Sequence, residues 1–194
     1  MAIFLPCKVV KMADTYYRLE ILPTCKDLYQ NITERSDENA GFDLYVAEDC
    51  ETKAGQVSLI NLGCKARMVK CYPDEMEQEV AYWLAPRSSI WKSGVVQANS
   101  IGVIDKSYRG PLMGAVTPIY KPTGYWSNMS GNSTSGSYIW MNCDSRDTGN
   151  PILQKGQRLF QIVAPDMGWI KEVRIVDSLP ETVRGEGGFG STGK

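Results

Sequence analysis

Asn99-Ser100-Ile101-Gly102-Val103-Ile104-Asp105-Lys106-Ser107-Tyr108-Arg109-Gly110 alternates polar and glycine residues with apolar ones, a period-two pattern that reads as a β-hairpin. Similar runs flank it. Val80-Ala81-Tyr82-Trp83-Leu84 and Val95-Val96 lie before it; Leu112 to Val116, Leu159 to Val163 and Val173 to Val176 follow. Nearer the start stand Arg18-Leu19-Glu20-Ile21-Leu22 and Val57-Ser58-Leu59-Ile60-Asn61-Leu62, and 10 prolines and 18 glycines punctuate the whole. Short strands at close spacing with turn residues between them predict an all-β domain: a barrel, sandwich or jelly roll. No amphipathic helix of useful length is visible. One short helix is expected over Ser88-Ser89-Ile90-Trp91-Lys92-Ser93-Gly94, with a serine N-cap and Gly94 just past its end.

Two segments interrupt the strand pattern. Met68 to Glu79 carries Asp74, Glu75, Glu77 and Glu79 and reads as a solvated loop. Lys121 to Asn150 contains six Ser, four Gly and four Asn among its residues. Structureless loops of that length are rare inside compact domains. This insertion (about 121–150) therefore either forms an extra hairpin or covers a surface, with Tyr125, Trp126, Tyr138, Ile139 and Trp140 as apolar anchors.

Composition narrows the chemistry. The chain has 194 residues, room for one well-cored domain. Its 21 basic and 22 acidic residues leave a net charge of −1, without the basic excess a nucleic-acid polymer requires. A small anionic ligand needs only a few local cations and stays open. There is no histidine, so serine–histidine triads, cysteine–histidine pairs and histidine metal sites are excluded. Proton transfer near neutral pH falls to carboxylates, Lys, Tyr or Cys. Cys7, Cys25, Cys50, Cys64, Cys71 and Cys143 contain no C-x-x-C pair, and reduced structural thiols are expected over a disulfide framework. Met1 to Lys11 lacks a basic signal-type start and Ala2 to Leu5 is too short an apolar run. No stretch approaches the ~20 apolar residues of a membrane span. The expected location is intracellular, in cytoplasm or nucleus.

Five stretches could carry chemistry, and each has a plain structural reading beside it. Arg184-Gly185-Glu186-Gly187-Gly188-Phe189-Gly190-Ser191-Thr192-Gly193-Lys194 is either a solvated tail or an arm that orders on a ligand, with arginine for phosphate and an aromatic ring for a base. Ala85-Pro86-Arg87-Ser88-Ser89 is either a capped turn or a phosphate grip. Asp105 is either a turn carboxylate bonded to its own backbone or a general base. Asp43, in Ala40-Gly41-Phe42-Asp43-Leu44, is a second carboxylate that could hold the waters of a magnesium ion. In Gln154 to Gln161, Arg158 and Gln161 face a polar ligand or a subunit boundary, or simply begin a strand.

In this order the five stretches resemble the five motifs of the trimeric deoxyuridine triphosphatase (dUTPase) family: Ala40–Leu44, Pro86–Ser89, Asn99–Gly110, Gly156–Gln161 and Arg184–Gly193. Gly-Val-Ile-Asp-x-x-Tyr-Arg-Gly and Arg-Gly-x-Gly-Gly-Phe-Gly-Ser-Thr-Gly are the specific elements, and the likeness runs from about Arg18 to Lys194 outside the two loops. It implies a distorted β-barrel or jelly roll with one short helix, an N-terminal extension over 1–15, a domain over 16–183 and a glycine-rich arm over 184–194 that closes the active site. It also implies a homotrimer with shared sites, hydrolysing dUTP to dUMP and pyrophosphate. That reaction lowers dUTP and supplies dUMP for thymidylate synthesis.

The resemblance further implies roles. Asp105 would activate the water attacking the α-phosphorus and Tyr108 would stack under the deoxyribose. Asn99 and the backbone of Gly102, Val103 and Ile104 would read the uracil edge, with Met113 lining the pocket. Arg87, Ser88, Ser89 and Gln161 would hold phosphates. Phe189 would cover the uracil while Arg184, Gly190, Ser191 and Thr192 grip the γ end. Asp43 would touch Mg2+ through water, the ion being held mainly by the triphosphate. Pro111, Gln157 and Phe160 depart from the usual pattern, where a polar residue, an acidic residue and an alanine are common. Two rivals exist. A dCTP deaminase shares the fold but needs a glutamate at the base pocket, and none lies between Trp83 and Lys155. A non-enzymatic nucleotide-responsive module would have no need for the complete motif set.

Overall fold

The computed structural model describes residues 15–30, 38–119 and 150–187. The insertion and most of the N-terminal extension lie outside these, as do Phe189, Gly190, Ser191 and Thr192. The described residues form thirteen strands: β1 (Tyr16–Pro23), β2 (Gly41–Tyr45), β3 (Cys50–Glu51), β4 (Ser58–Asn61), β5 (Cys64–Cys71), β6 (Glu77–Val80), β7 (Tyr82–Pro86), β8 (Val95–Gln97), β9 (Gly102–Ile104), β10 (Met113–Pro118), β11 (Ile152–Leu153), β12 (Arg158–Val163) and β13 (Ile170–Ile175). They assemble into four sheets, ordered β13-β1-β5-β6, β4-β10-β8, β11-β3 and β2-β12-β7-β9. The all-β jelly-roll expectation holds. Leu19, Ile21, Leu44, Ile60, Leu62, Met68, Phe160 and Ile162 are fully buried within one core. Among the described residues no helix is long and apolar enough to cross a membrane, and Cys25, Cys50, Cys64 and Cys71 are free thiols. Burial pushes the Cys64 thiol up to about 12, so it packs as an inert apolar group.

Three local expectations are corrected. The helix over Ser88–Gly94 is a single 3-10 turn, Ile90–Ser93, without a side-chain cap from Ser89. Gly94 does end it in the left-handed conformation (φ 76°), where glycine carries no Cβ penalty. Asn99–Gly110 is no hairpin: β9 pairs antiparallel with β7, through Tyr82↔Ile104, Trp83↔Val103 and Leu84↔Gly102. Met68–Glu79 is no solvated loop. β5 runs to Cys71, and β6 returns beside it from Glu77 through the pairing Cys71↔Glu77.

Two acidic residues of that segment, Glu77 and Glu79, are held by arginines. Arg18 donates to Glu77 (2.6 and 2.7 Å) and to Glu20 (3.2 Å). Arg67 donates to Glu20 (3.0 Å) and Glu79 (2.8 Å). The Arg18 bond holds the Glu77 carboxyl below the usual carboxylate range. β1 is covered on both faces: Tyr17, Leu19 and Ile21 enter the core, while Arg18 and Glu20 are buried in this ladder of alternating charge. Buried charges need such partners.

Phe160 explains its own departure from alanine. Its ring, fully buried on β12, fills the space that a Cβ on Gly114 of β10 would occupy. Gly114→Ala is therefore expected to cost about 1–3 kcal/mol through overpacking. In a Phe160→Ala background, itself costing about 3–5 kcal/mol, the added methyl should cost much less. Denaturant midpoints of the four chains measure this; an equal cost in both backgrounds would disprove the complementary fit.

Candidate active site

β9 is an edge strand of its sheet, so one side of its backbone faces away from β7 with N–H and C=O groups that no strand among the described residues takes. Beside it lies a cavity of about 220 Å³. Asn99, Gly102, Val103, Ile104, Asp105, Tyr108, Met113 and Arg184 all line it. Residues separated by up to 85 positions thus converge as the motifs imply. Leu84, Pro111 and Leu112 complete the wall.

The turn after β9 places the reactive groups. Tyr108 N–H donates to Asp105 C=O (3.0 Å), closing it. The Tyr108 hydroxyl donates to Pro111 C=O (2.9 Å). The ring lies where a Cβ on Gly110 would stand, so the Tyr-Arg-Gly sequence lets the aromatic fold back on its own chain. Burial, with a smaller contribution from Glu186, raises the Tyr108 phenol above its usual range, so it remains a neutral hydroxyl. Asp105 itself is exposed and forms an ion pair with Arg184, whose guanidinium lies over the Tyr108 ring (5.8 Å to the centroid). Gln97, which sequence reasoning missed, donates to Asn99 Oδ1 (2.9 Å) and to Leu84 C=O (3.2 Å), fixing the asparagine's orientation. A glutamine on a three-residue strand gave no sequence signal for that role.

A second cluster sits elsewhere on the same sheet. Asp43 on β2 bridges Arg87 (2.9 Å) and Arg158 (3.2 Å). Register explains the assembly: Gln161 pairs with Asp43 on one side and Ala85 on the other. Arg87 N–H donates to Leu159 C=O (2.9 Å), and Gln161 donates to Pro86 C=O (3.3 Å). Ser88 is exposed and Ser89 half-buried at the edge of this patch. Arg158 joins Arg87 as a second cation here.

The two clusters are not adjacent within one chain. Ile104, the residue before Asp105, pairs with Tyr82 at the start of β7, whereas Arg87 follows its last residue, Pro86. Five residues of extended strand separate the two ends by roughly 16 Å at ~3.3 Å per residue. Among the described residues no three Cys, Asp or Glu side chains converge as a metal cage. Asp43 is a single carboxylate whose two oxygens face Arg87 and Arg158, so it could reach an ion only as an outer contact.

A dUTPase family profile matches residues 29–118. The deoxyuridine 5'-triphosphate nucleotidohydrolase of Rickettsia felis is 31% identical over 165 residues, covering 81% of this chain and 84% of that protein. The chain belongs to the dUTPase family. The Lactococcus lactis nucleotidohydrolase of the same name is 29% identical over 176 residues, covering 90% of this chain and 95% of its own. Among solved structures, the dUTPase of Streptococcus mutans is similar at a TM-score of 0.44 and 27% identity, over 68% of this chain and 80% of that one. Membership makes the divided arrangement of pocket and patch the main question about function.

Proposed function

We propose that this chain hydrolyses dUTP to dUMP and pyrophosphate, and that each site joins the β9 pocket of one copy to the Arg87 patch of another. The observation carrying this is Asp105 on the wall of a cavity of about 220 Å³ bounded by the edge of β9 that no described strand pairs. That edge reads the uracil through the backbone of Gly102, Val103 and Ile104, aided by Asn99, with Met113 lining the pocket. Cytosine presents an amino group where uracil has a carbonyl. The mismatch leaves a buried group unpaired at about 1–3 kcal/mol each. Tyr108 stacks under the deoxyribose and leaves no room for a 2′-hydroxyl.

Asp105 accepts the proton of the water that attacks the α-phosphorus, and in a chain without histidine a carboxylate is the available base. Arg87, Ser88, Ser89 and Gln161 hold the phosphate chain. Arg184 leaves Asp105 when substrate enters and, with Gly190, Ser191 and Thr192 of the arm over 184–194, grips the γ end while Phe189 covers the base. Asp43 would hold a Mg2+ ion through water, and the ion, bound mainly by the triphosphate, would supply charge shielding for the attack. The rest of the rate comes from positioning and fixed charge.

Two features support association of copies of this chain, for which the family likeness implies a homotrimer. The Asp105-to-Arg87 separation is long for one phosphate chain to bridge. The β4-β10-β8 sheet also presents an apolar face: Leu59 (46% exposed) and Val96 (40% exposed) stand opposite Ala115 and Thr117 on the same side, continuing to Val57. Such a face suits a second copy of the chain. A pyrophosphate-release assay against a panel of dNTPs and UTP with Mg2+, alongside a mass measurement in solution, tests the proposal. Turnover of dUTP far above all others, by a species of three chains, is expected. Ammonia release from dCTP, or binding of dUTP without hydrolysis, would refute the assigned activity.

A further inference from the structure

Arg109 is 7% exposed, yet it is neither a pocket wall nor part of the phosphate patch. Its guanidinium joins three pieces of chain. Nη2 donates to both carboxylate oxygens of Glu79 on β6 (3.2 and 3.0 Å). Nη1 donates to the carbonyls of Lys106 (2.7 Å) and Tyr108 (3.0 Å), inside the turn that carries Asp105. Nε donates to Pro180 C=O (2.9 Å), just before the arm, and the Arg109 backbone N–H donates to Gly185 C=O (2.8 Å) at the arm's root. Thr182 tightens the same junction. Its hydroxyl donates to Ser107 C=O (2.5 Å) and accepts the Gly185 N–H (3.2 Å).

We infer that Glu79 is a positioning residue for the hydrolysis proposed above: acting through Arg109, it holds the Asp105–Tyr108 turn and the root of the C-terminal arm in register with each other. A guanidinium gripped by one carboxylate is fixed in plane. From that plane it draws two carbonyls of the turn and one of the arm segment toward a single point. The Asp105 carboxylate and the Tyr108 ring keep their placement only while those carbonyls are held. Glu79 contributes no atom to the pocket and belongs to none of the recognised motifs.

The test compares Glu79→Gln with Arg67→Gln in the full-length chain, using steady-state pyrophosphate release from dUTP and thermal unfolding. Arg67 donates to Glu79 Oε1 (2.8 Å), an oxygen it shares with Arg109, and is linked to Glu20, so its loss breaks the same ladder while leaving both Glu79 oxygens to Arg109. Glu79→Gln is expected to lower kcat about 10–100-fold, as an ångström-scale misplacement does, with KM changed less than about threefold. Arg67→Gln is expected to lower the melting temperature comparably while keeping kcat within about twofold. A Glu79→Gln chain with wild-type kcat overturns the inference, as does an Arg67→Gln chain that loses as much kcat. If Glu79→Gln does not fold, Arg109→Lys, which keeps the charge and loses the fork, carries the same expectation and is overturned by wild-type kcat. A wild-type chain that leaves dUTP intact overturns the proposed function and this inference together; wild-type turnover with an unaffected Glu79→Gln overturns the inference alone.

Discussion

Asp105→Asn is expected to reduce pyrophosphate release from dUTP by about 10²–10⁴-fold, the usual contribution of a positioned base, while binding of a non-hydrolysable dUTP analogue changes little. The substitution keeps the side chain's size and its hydrogen-bonding oxygen. It removes the ability to take a proton. It also removes the ion pair with Arg184, but exposed pairs contribute only about 0–1 kcal/mol, so the melting temperature should barely move. Undiminished turnover would eliminate Asp105 as the base.

The same variant tests whether the site is shared. Arg87→Ala should also be inactive, through loss of the phosphate grip. If pocket and patch come from different copies, co-expressing the two inactive chains restores sites that pair an intact Asp105 with an intact Arg87. In randomly mixed cyclic trimers that is about a quarter of the sites. If one chain supplies both clusters, no mixture recovers activity. The β7 register, with Asp105 beyond its first residue and Arg87 beyond its last, favours recovery.

What the sequence left hidden was mostly pairing. Alternation in Asn99–Gly110 shows a strand but not its partner, and the partner proved to be β7 rather than a neighbouring turn of the same segment. That one register decides how far Asp105 stands from Arg87. The pocket residues were legible through the motifs, because their order along the chain is itself a signal, and they do line one cavity. Charge misled the reading of Met68–Glu79. Acidic residues normally mark solvent, but here Glu77 and Glu79 answer arginines from β1, β5 and the turn after β9. Arg109 escaped notice for the same reason, since a charged residue beside a catalytic turn gives no sign in sequence that it is buried. Phe160 was visible as a departure, while its explanation, Gly114 across the sheet interface, required coordinates.

Truncation after Val183 is expected to remove most of the activity and little of the stability. The root of the arm, Pro180 and Thr182, stays docked on Arg109 and Ser107 in that variant. The losses include the Arg184–Asp105 and Lys65–Glu186 ion pairs, the stacking of Arg184 on the Tyr108 ring, and the Gly185 bonds to the Arg109 N–H and the Thr182 hydroxyl, of which the two ion pairs are exposed and worth little. In catalysis the loss is larger, because Arg184 and the segment over 188–194 would supply the γ grip and the cover over the base, excluding water from the reacting phosphate. A shorter truncation after Gly187 separates these contributions: it keeps Arg184 but removes Phe189, Gly190, Ser191 and Thr192. Intermediate activity there, with kcat affected more than KM, is the result expected of a closing arm. A fall in melting temperature of ten degrees or more in either truncation would correspond to about 2.5–5 kcal/mol or more for a domain of this size and would make the segment structural, with the loss of activity following from unfolding instead of from an open site.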